Sequence, residues 1–294
     1  MSSGRWVAFA PALFVVLWST GFIGAKLGLA YAEPLTFLLL RFLIVAVLML
    51  PVLLLVRAPW PASVREAGHI ATAGLLLHAG YLAGVFVAID QGVPAGIVAL
   101  IAGLQPLLTS AVAFPLLGEK VGGRQWLGLF LGLIGVVLVV GDKLAPTGAG
   151  GIGFAFFALL SFTAGTLYQK RYCGNMDLGT GSFIQFTTSM VALAVLAPLF
   201  ESLHVEWNGE FVFALAWLVL VLSLGAISLL LLLIRAGEAF RVASLLYLVP
   251  PVTALIAFAA FGEKLGGLTL LGMLISAAAV ALVTGRAMAT PAGK

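Results

Sequence analysis

Charge is what this 294-residue chain has least of: Asp, Glu, Lys and Arg together make up 9% of it. With 62% hydrophobic residues and a mean hydropathy of +1.18, no water-soluble globular surface can be built, so soluble fold classes are excluded and a polytopic membrane protein is implied. A lone cysteine, Cys173, excludes an intrachain disulfide. Basic runs and zinc-ligand spacings are missing, so the net charge of +4 does not point to nucleic acid. No His-x-x-x-His or Cys-x-x-Cys spacing suggests a metal, and nothing calls for a cofactor. Gly150-Gly151-Ile152-Gly153 leads into an apolar run instead of Lys-Ser/Thr, so it is not a phosphate loop, and Gly128 to Gly132 reads as helix packing. No segment is long and polar enough for a soluble domain, and Arg5 leads into apolar sequence without the pattern of a cleaved leader.

The missing carboxylates carry the most functional weight. All eleven acidic residues fall in loops or near the ends of apolar runs. A carboxylate inside the hydrocarbon is the usual device for holding a proton, Na⁺ or a lipophilic cation, because so costly a charge persists only for function. Its absence argues against a mechanism in which one buried Glu serves both proton and drug, and favours passage of a neutral or zwitterionic solute.

What is present is a repeat. Sliding the sequence by 144 positions without a gap places Gly118-Glu119-Lys120 on Gly262-Glu263-Lys264, Gly122-Gly123 on Gly266-Gly267, Pro106 on Pro250, Gly128 on Gly272, Gly21 on Gly165 and Lys26 on Lys170. A span needs about 20 apolar residues to cross about 30 Å of hydrocarbon. Ten stretches qualify, near 7–29, 35–56, 68–89, 94–117, 124–141, 150–170, 180–200, 211–234, 240–261 and 267–286. The expected fold is therefore all-α, with ten transmembrane helices in one bundle. Residues 1–146 form a first five-helix repeat and 147–294 a second. Five is odd, so the second repeat is inverted, which allows one bundle to present related conformations to the two sides of the membrane. With the N-terminus inside, Arg5, Arg57, Arg65, Lys120, Arg124, Lys170, Arg171, Arg235, Arg241, Arg286 and Lys294 face the cytoplasm, 11 of the 15 Lys and Arg. That split places both termini in the cytoplasm.

Several polar or aromatic residues in these spans are candidates for a substrate site. Trp18, Ser19 and Thr20 precede Gly21 deep in the first span, where an indole N–H needs a partner and its ring can stack on a solute. Their mates by the repeat are Phe162 and its neighbours, with Ser161 and Tyr168 close by. His78 shares a helical face with Gly74 and Tyr81; small residues let helices approach, and His and Tyr offer hydrogen bonds that lipid cannot answer. His78 either lines a pocket or packs against another helix's carbonyl, and it is also the group through which ionic coupling would run. Gln105 and Thr109 flank Pro106, and Ser244 and Tyr247 precede Pro250. The prolines free backbone carbonyls, so the fourth and ninth helices are expected to kink or gate. Arg41 and its mate Gln185 sit at symmetric depths in the second and seventh spans. A structural role is expected for them, attraction of a carboxylate being the alternative for Arg41. Glu119 and Glu263 are expected to cap the helices that follow their hairpins.

Trp18-Ser19-Thr20-Gly21-Phe22, Arg41 early in the second span, Pro106 and Pro250, and the two Gly-Glu-Lys hairpins together resemble the EamA family of the drug/metabolite transporter superfamily, over nearly the whole chain. That resemblance implies a ten-helix carrier of the bacterial inner membrane that exports amino acids or other small metabolites; within the family the sequence looks like exporters of aromatic and other neutral amino acids. It implies a small-molecule substrate and the lipid bilayer as partners, with alternating access around a central site; no nucleic-acid partner is expected, and a monomer is one possible state that the sequence leaves open. A proton-coupled drug or metabolite exporter, an intramembrane enzyme acting on lipid-linked substrates and a structural membrane subunit are the rival readings. The missing acid/base or nucleophile cluster weighs against the enzyme.

Overall fold

The computed structural model describes residues 3–105, 107–109, 112, 123–141, 149–226, 229, 249–262 and 266–284. These form ten helices and no strands, counting each π-helical stretch with the α-helix it continues. They are α1 (Ser3–Gly28), α2 (Pro34–Leu55), α3 (Val64–Asp90), α4 (Ala95–Ala102), α5 (Gly123–Gly141), α6 (Ala149–Tyr172), α7 (Leu178–Phe200), α8 (Gly209–Ala226), α9 (Val249–Phe261) and α10 (Gly267–Thr284). The protein is an all-α polytopic membrane protein whose odd-numbered repeat makes the second half run opposite to the first. Helices prevail because backbone N–H and C=O groups in lipid must be satisfied within their own segment. Outward apolar side chains such as Val47 (61% exposed), Leu54 (59%), Val195 (62%) and Leu199 (70%) then meet hydrocarbon, which asks nothing of them.

The chain divides into two compact units, and each takes helices from both repeats. The first comprises residues 1–23, 93–149 and 224–294; the second comprises 24–92 and 150–223. In the first unit α5 packs on α10 and α4 on α9. Glycine makes the former contact possible, for a Cβ on Gly135 would stand 2.6 Å from the Gly272 carbonyl oxygen and 3.0 Å from the Ser276 nitrogen. α9 ends at Gly262, whose φ of 64° is the left-handed conformation that glycine adopts without penalty at a helix C-terminus. The turn at Gly103–Leu104 interrupts the fourth span shortly before Pro106. Pro106 itself, and with it the expected kink, lies outside the described residues, as do both Glu119 and Glu263.

In the second unit α2 and α7 pack along each other and are tied at both ends. Glu201, just past the end of α7, accepts from Leu35 N and Thr36 N, 2.7 Å each, and from Thr36 Oγ1 at 2.7 Å. It supplies from another segment the cap that α2, entered at Pro34, lacks locally. The repeat mate of Thr36, Thr180, donates through Oγ1 to the Pro59 carbonyl beyond the end of α2, 2.7 Å away. Glu33 returns the clasp, accepting from Ser202 N (3.2 Å), Ser202 Oγ (2.9 Å) and His204 N (3.3 Å). Burial alone would raise this carboxyl; the Ser202 and His204 donors outweigh it and hold Glu33 below the ordinary carboxylate range. A lowered pKa means the contribution is complete above the unfolded-state value and is lost as pH falls through the folded one. Thermal midpoints of the wild type should therefore decline in acid below about pH 4, and Glu33→Gln should flatten that decline; equal acid sensitivity in both proteins would remove Glu33 from the clasp.

Candidate functional site

Both third helices of the repeats leave α-helical geometry at the same register. In α3 the stretch Leu75–Gly80 is π-helical, and in α8 the stretch is Trp217–Ala226. Shifted by 144, Leu75–Gly80 falls on 219–224, inside the second stretch. π-turns insert a residue and re-aim side chains, which is why they gather at functional sites.

Each stretch receives a polar side chain from the second helix of the other repeat. Arg41 on α2 donates through Nε and Nη2 to Ser223 Oγ, 3.1 Å each, and the Ser223 hydroxyl in turn donates to the Leu218 carbonyl, five residues back, at 3.1 Å. On α7, Gln185 Oε1 stands 3.2 Å from His78 Nε2, and Gln185 Nε2 donates to Gln169 Oε1 at 2.8 Å. As Gln185 is oriented, its oxygen is the acceptor, so His78 carries its proton on Nε2 and leaves Nδ1 as an acceptor. Ser189, one turn along α7, donates to the Gly74 carbonyl at 3.0 Å. Two facing helices can come this close because a Cβ on Gly74 would lie 2.5 Å from Gln185 Cα.

Aromatic rings wall the His78 imidazole: Phe186 at 4.5 Å and Phe42 at 6.2 Å between ring centroids. One turn beyond, Tyr81 stacks on Phe162 at 4.4 Å and 20°. Gly80 abuts Ser161, whose Oγ would be 2.2 Å from a Cβ placed there. Arg41 is within electrostatic reach of both Tyr81 and His78. Around Arg41 and His78 the second unit thus gathers one cation, one imidazole, hydroxyls, amides and stacked rings, with no carboxylate bonded to any of them among the described residues. Chemically, such a set offers a positive charge, hydrogen-bond donors and acceptors, and ring faces; among the described residues it includes no paired nucleophile and base.

The sequence matches the EamA-like transporter family twice, over residues 5–141 and 149–285. The chain belongs to that family. This EamA-like transporter is 28% identical over 277 residues to a protein of Escherichia coli (strain K12) named a probable amino-acid metabolite efflux pump, with 90% of the chain and 89% of the relative covered. It is 28% identical to the uncharacterized transporter YvbV of Bacillus subtilis (strain 168), covering 97% and 93%. Against the uncharacterized inner membrane transporter YedA of E. coli the identity is 29%, covering 93% and 88%. A known crystal structure superposes with a TM-score of 0.64 at 20% identity, over 98% of this chain and all of the other, and shares the fold. The protein is a multi-pass membrane transporter for small molecules, not an enzyme.

The residues expected at the site of this EamA-like transporter fall in several places. His78, Tyr81, Ser161 and Phe162 come together in the second unit, and Gln185, for which a structural role was expected, joins them through His78. Tyr168 joins a separate cluster, its hydroxyl 2.8 Å from His69 Nδ1 and its ring 4.7 Å from Tyr172. Trp18, Ser19 and Thr20 belong to the first unit, where Trp18 tilts against Phe14 at 5.3 Å. The hydroxyls of Ser19 and Thr20 donate to their own helix, to Val15 O at 2.8 Å and Leu17 O at 2.6 Å, and Ser19 also reaches Val249 O at 3.4 Å. Gln105 Nε2 donates to Thr109 Oγ1 at 2.9 Å. Pro250 is buried in the first turn of α9 and lines a narrow cleft with Gly103, Leu104 and Ser276. Ser244 and Tyr247 lie outside the described residues. Ser223 and Gln169 were not expected. Ser223 had a visible signal: it is the only hydroxyl in the apolar run from Phe211 to Ala226.

Proposed function

We propose that this transporter carries amino acids, or similar small neutral or zwitterionic metabolites, out of the cell or down their gradient by alternating access. The observation that carries the reading is the pair of cross-repeat polar contacts at the π-turns, Arg41 to Ser223 and Gln185 to His78, in spans whose described carboxylates, Glu66, Asp90 and Glu210, all lie in a first or last turn. Polar groups retained at this depth mark a solute path, and zwitterions match a site that offers a cation beside neutral acceptors. The amino-acid name carried by the E. coli relative supports the class of solute. Its place is the bacterial inner membrane, with both termini in the cytoplasm and residues 1–146 and 147–294 as the inverted halves; it acts as a monomer.

Proteoliposomes loaded with unlabelled amino acid should accumulate the labelled one by counterflow with no pH gradient imposed. The second reading, a proton-coupled exporter, is favoured by His78, whose Nδ1 is an acceptor in the neutral ring. Transport that appears only when a pH gradient is imposed would decide for it.

A further inference from the structure

Arg41 is the one charged residue among the described helices that lies far from a helix end. It is seven residues past Pro34 in a helix that runs on to Leu55, about 10 Å in at 1.5 Å per residue. Only 8% of it is exposed. A guanidinium so placed is costly in hydrocarbon and is expected to be paired with an anion. Among the described residues it has no such partner. Of its five N–H groups, two converge on Ser223 Oγ, which leaves three without an acceptor among the described residues.

The geometry of the remaining donors is specific. Ser223 occupies the Nε/Nη2 edge, so the Nη1/Nη2 end of the fork keeps a parallel pair of N–H groups, the arrangement that grips the two oxygens of a carboxylate. The repeat supplies an internal comparison. Gln185, at the symmetric position, also bolts the second helix of its repeat to the π-stretch of the other repeat, and it does so without charge. Anchoring the helix therefore does not require a cation, and the charge on Arg41 needs another reason.

We infer that Arg41 is a substrate-binding residue and that its free end takes the carboxylate of the transported solute. The inference rests on the transporter reading above and names the chemical group recognised; the structural role expected from the sequence is thereby extended to binding. Solutes lacking a carboxylate, amides and simple amines among them, bind poorly to this site.

The full-length protein, purified in detergent, is tested by thermal unfolding with L-phenylalanine, L-phenylalaninamide and 3-phenylpropionate, and in proteoliposomes by uptake of labelled L-phenylalanine. The wild type should be stabilised by the two carboxylates and not by the amide. Arg41→Gln, which copies the residue at the symmetric position of the other repeat, should lose about tenfold or more in apparent affinity for the carboxylates while its ligand-free midpoint stays near that of the wild type. Arg41→Lys, which keeps the charge and loses the fork, should fall between, and it carries the test should the Gln variant fail to fold. Equal stabilisation by acid and amide in the wild type, or wild-type carboxylate affinity in either variant, overturns the inference while leaving amino-acid transport standing. Stabilisation by 3-phenylpropionate, lost in the variants, without uptake of L-phenylalanine would support the inference and remove the amino-acid reading. No stabilisation of the wild type by any of the three would overturn it.

Discussion

Replacing Gly74 by alanine is expected to destabilise this transporter markedly. The added carbon would stand 2.5 Å from Gln185 Cα and 2.8 Å from both Gln185 Cβ and the Gln185 carbonyl oxygen. These are mostly backbone atoms of a helix held at both ends, so they cannot rotate away as a side chain would. α3 and α7 must separate, and separation stretches the Ser189 to Gly74 and Gln185 to His78 hydrogen bonds with it. Overpacking of this kind costs about 1–3 kcal/mol and each weakened hydrogen bond about 0.5–1.5 kcal/mol. The thermal midpoint in detergent should fall by several degrees and the monodisperse yield with it. Gly68, on the same helix, is the control. Nothing lies within 4 Å of a Cβ there, so Gly68→Ala should be neutral or mildly stabilising through helix propensity. Equal losses from the two variants would show that the close approach at Gly74 is not what they report.

The second large effect is expected on transport. Gln185→Leu keeps the volume but removes the acceptor for His78 Nε2 and the donor to Gln169. The His78 N–H is then left unanswered among Phe42 and Phe186, at a cost of about 1–3 kcal/mol, and the ring is no longer held in one tautomer. Uptake should drop about tenfold or more, a factor that about 1.4 kcal/mol delivers at 25 °C. Pairing Gln185→Leu with His78→Phe separates packing from function. Removing both partners of a buried hydrogen bond with apolar groups of similar shape is nearly neutral, so the double variant should recover the thermal midpoint but not the transport. Recovery of both would reduce the Gln185–His78 contact to packing.

Much of the fold is legible in the sequence because lipid sets a simple requirement of about 20 apolar residues per span. α7, expected near 180–200, runs Leu178–Phe200, and α2, expected near 35–56, runs Pro34–Leu55. The starts of α3 and α8 lie further out than hydropathy indicates, because Ser63 and Asn208 cap them, accepting from Glu66 N at 3.2 Å and Phe211 N at 2.8 Å. The π-turns are not legible. They leave the apolar pattern intact, because a π-turn is set by backbone bonds to the carbonyl five residues back and not by residue type. His78, Gln185 and Arg41 each stand out as polar residues in apolar surroundings, yet the pairing of Gln185 with His78 and of Arg41 with Ser223 depends on how helices far apart in the sequence meet. The same holds for Glu201. Along the chain it is a residue at a helix end; folded, it caps a helix whose first residue lies more than 160 positions earlier.

The matching π-turns also bear on the register between the two halves. A π-turn holds one residue more than the α-helical turn it replaces, and had one half acquired that residue after the duplication, the offset between halves would change across it. It does not. Arg41 and Gln185 before the turns, and Gly118 and Gly262 after them, keep the same spacing of 144. The offset therefore runs unbroken through both irregular stretches, so a single residue inserted into or lost from either one would shift every later position of that half against its mate in the other.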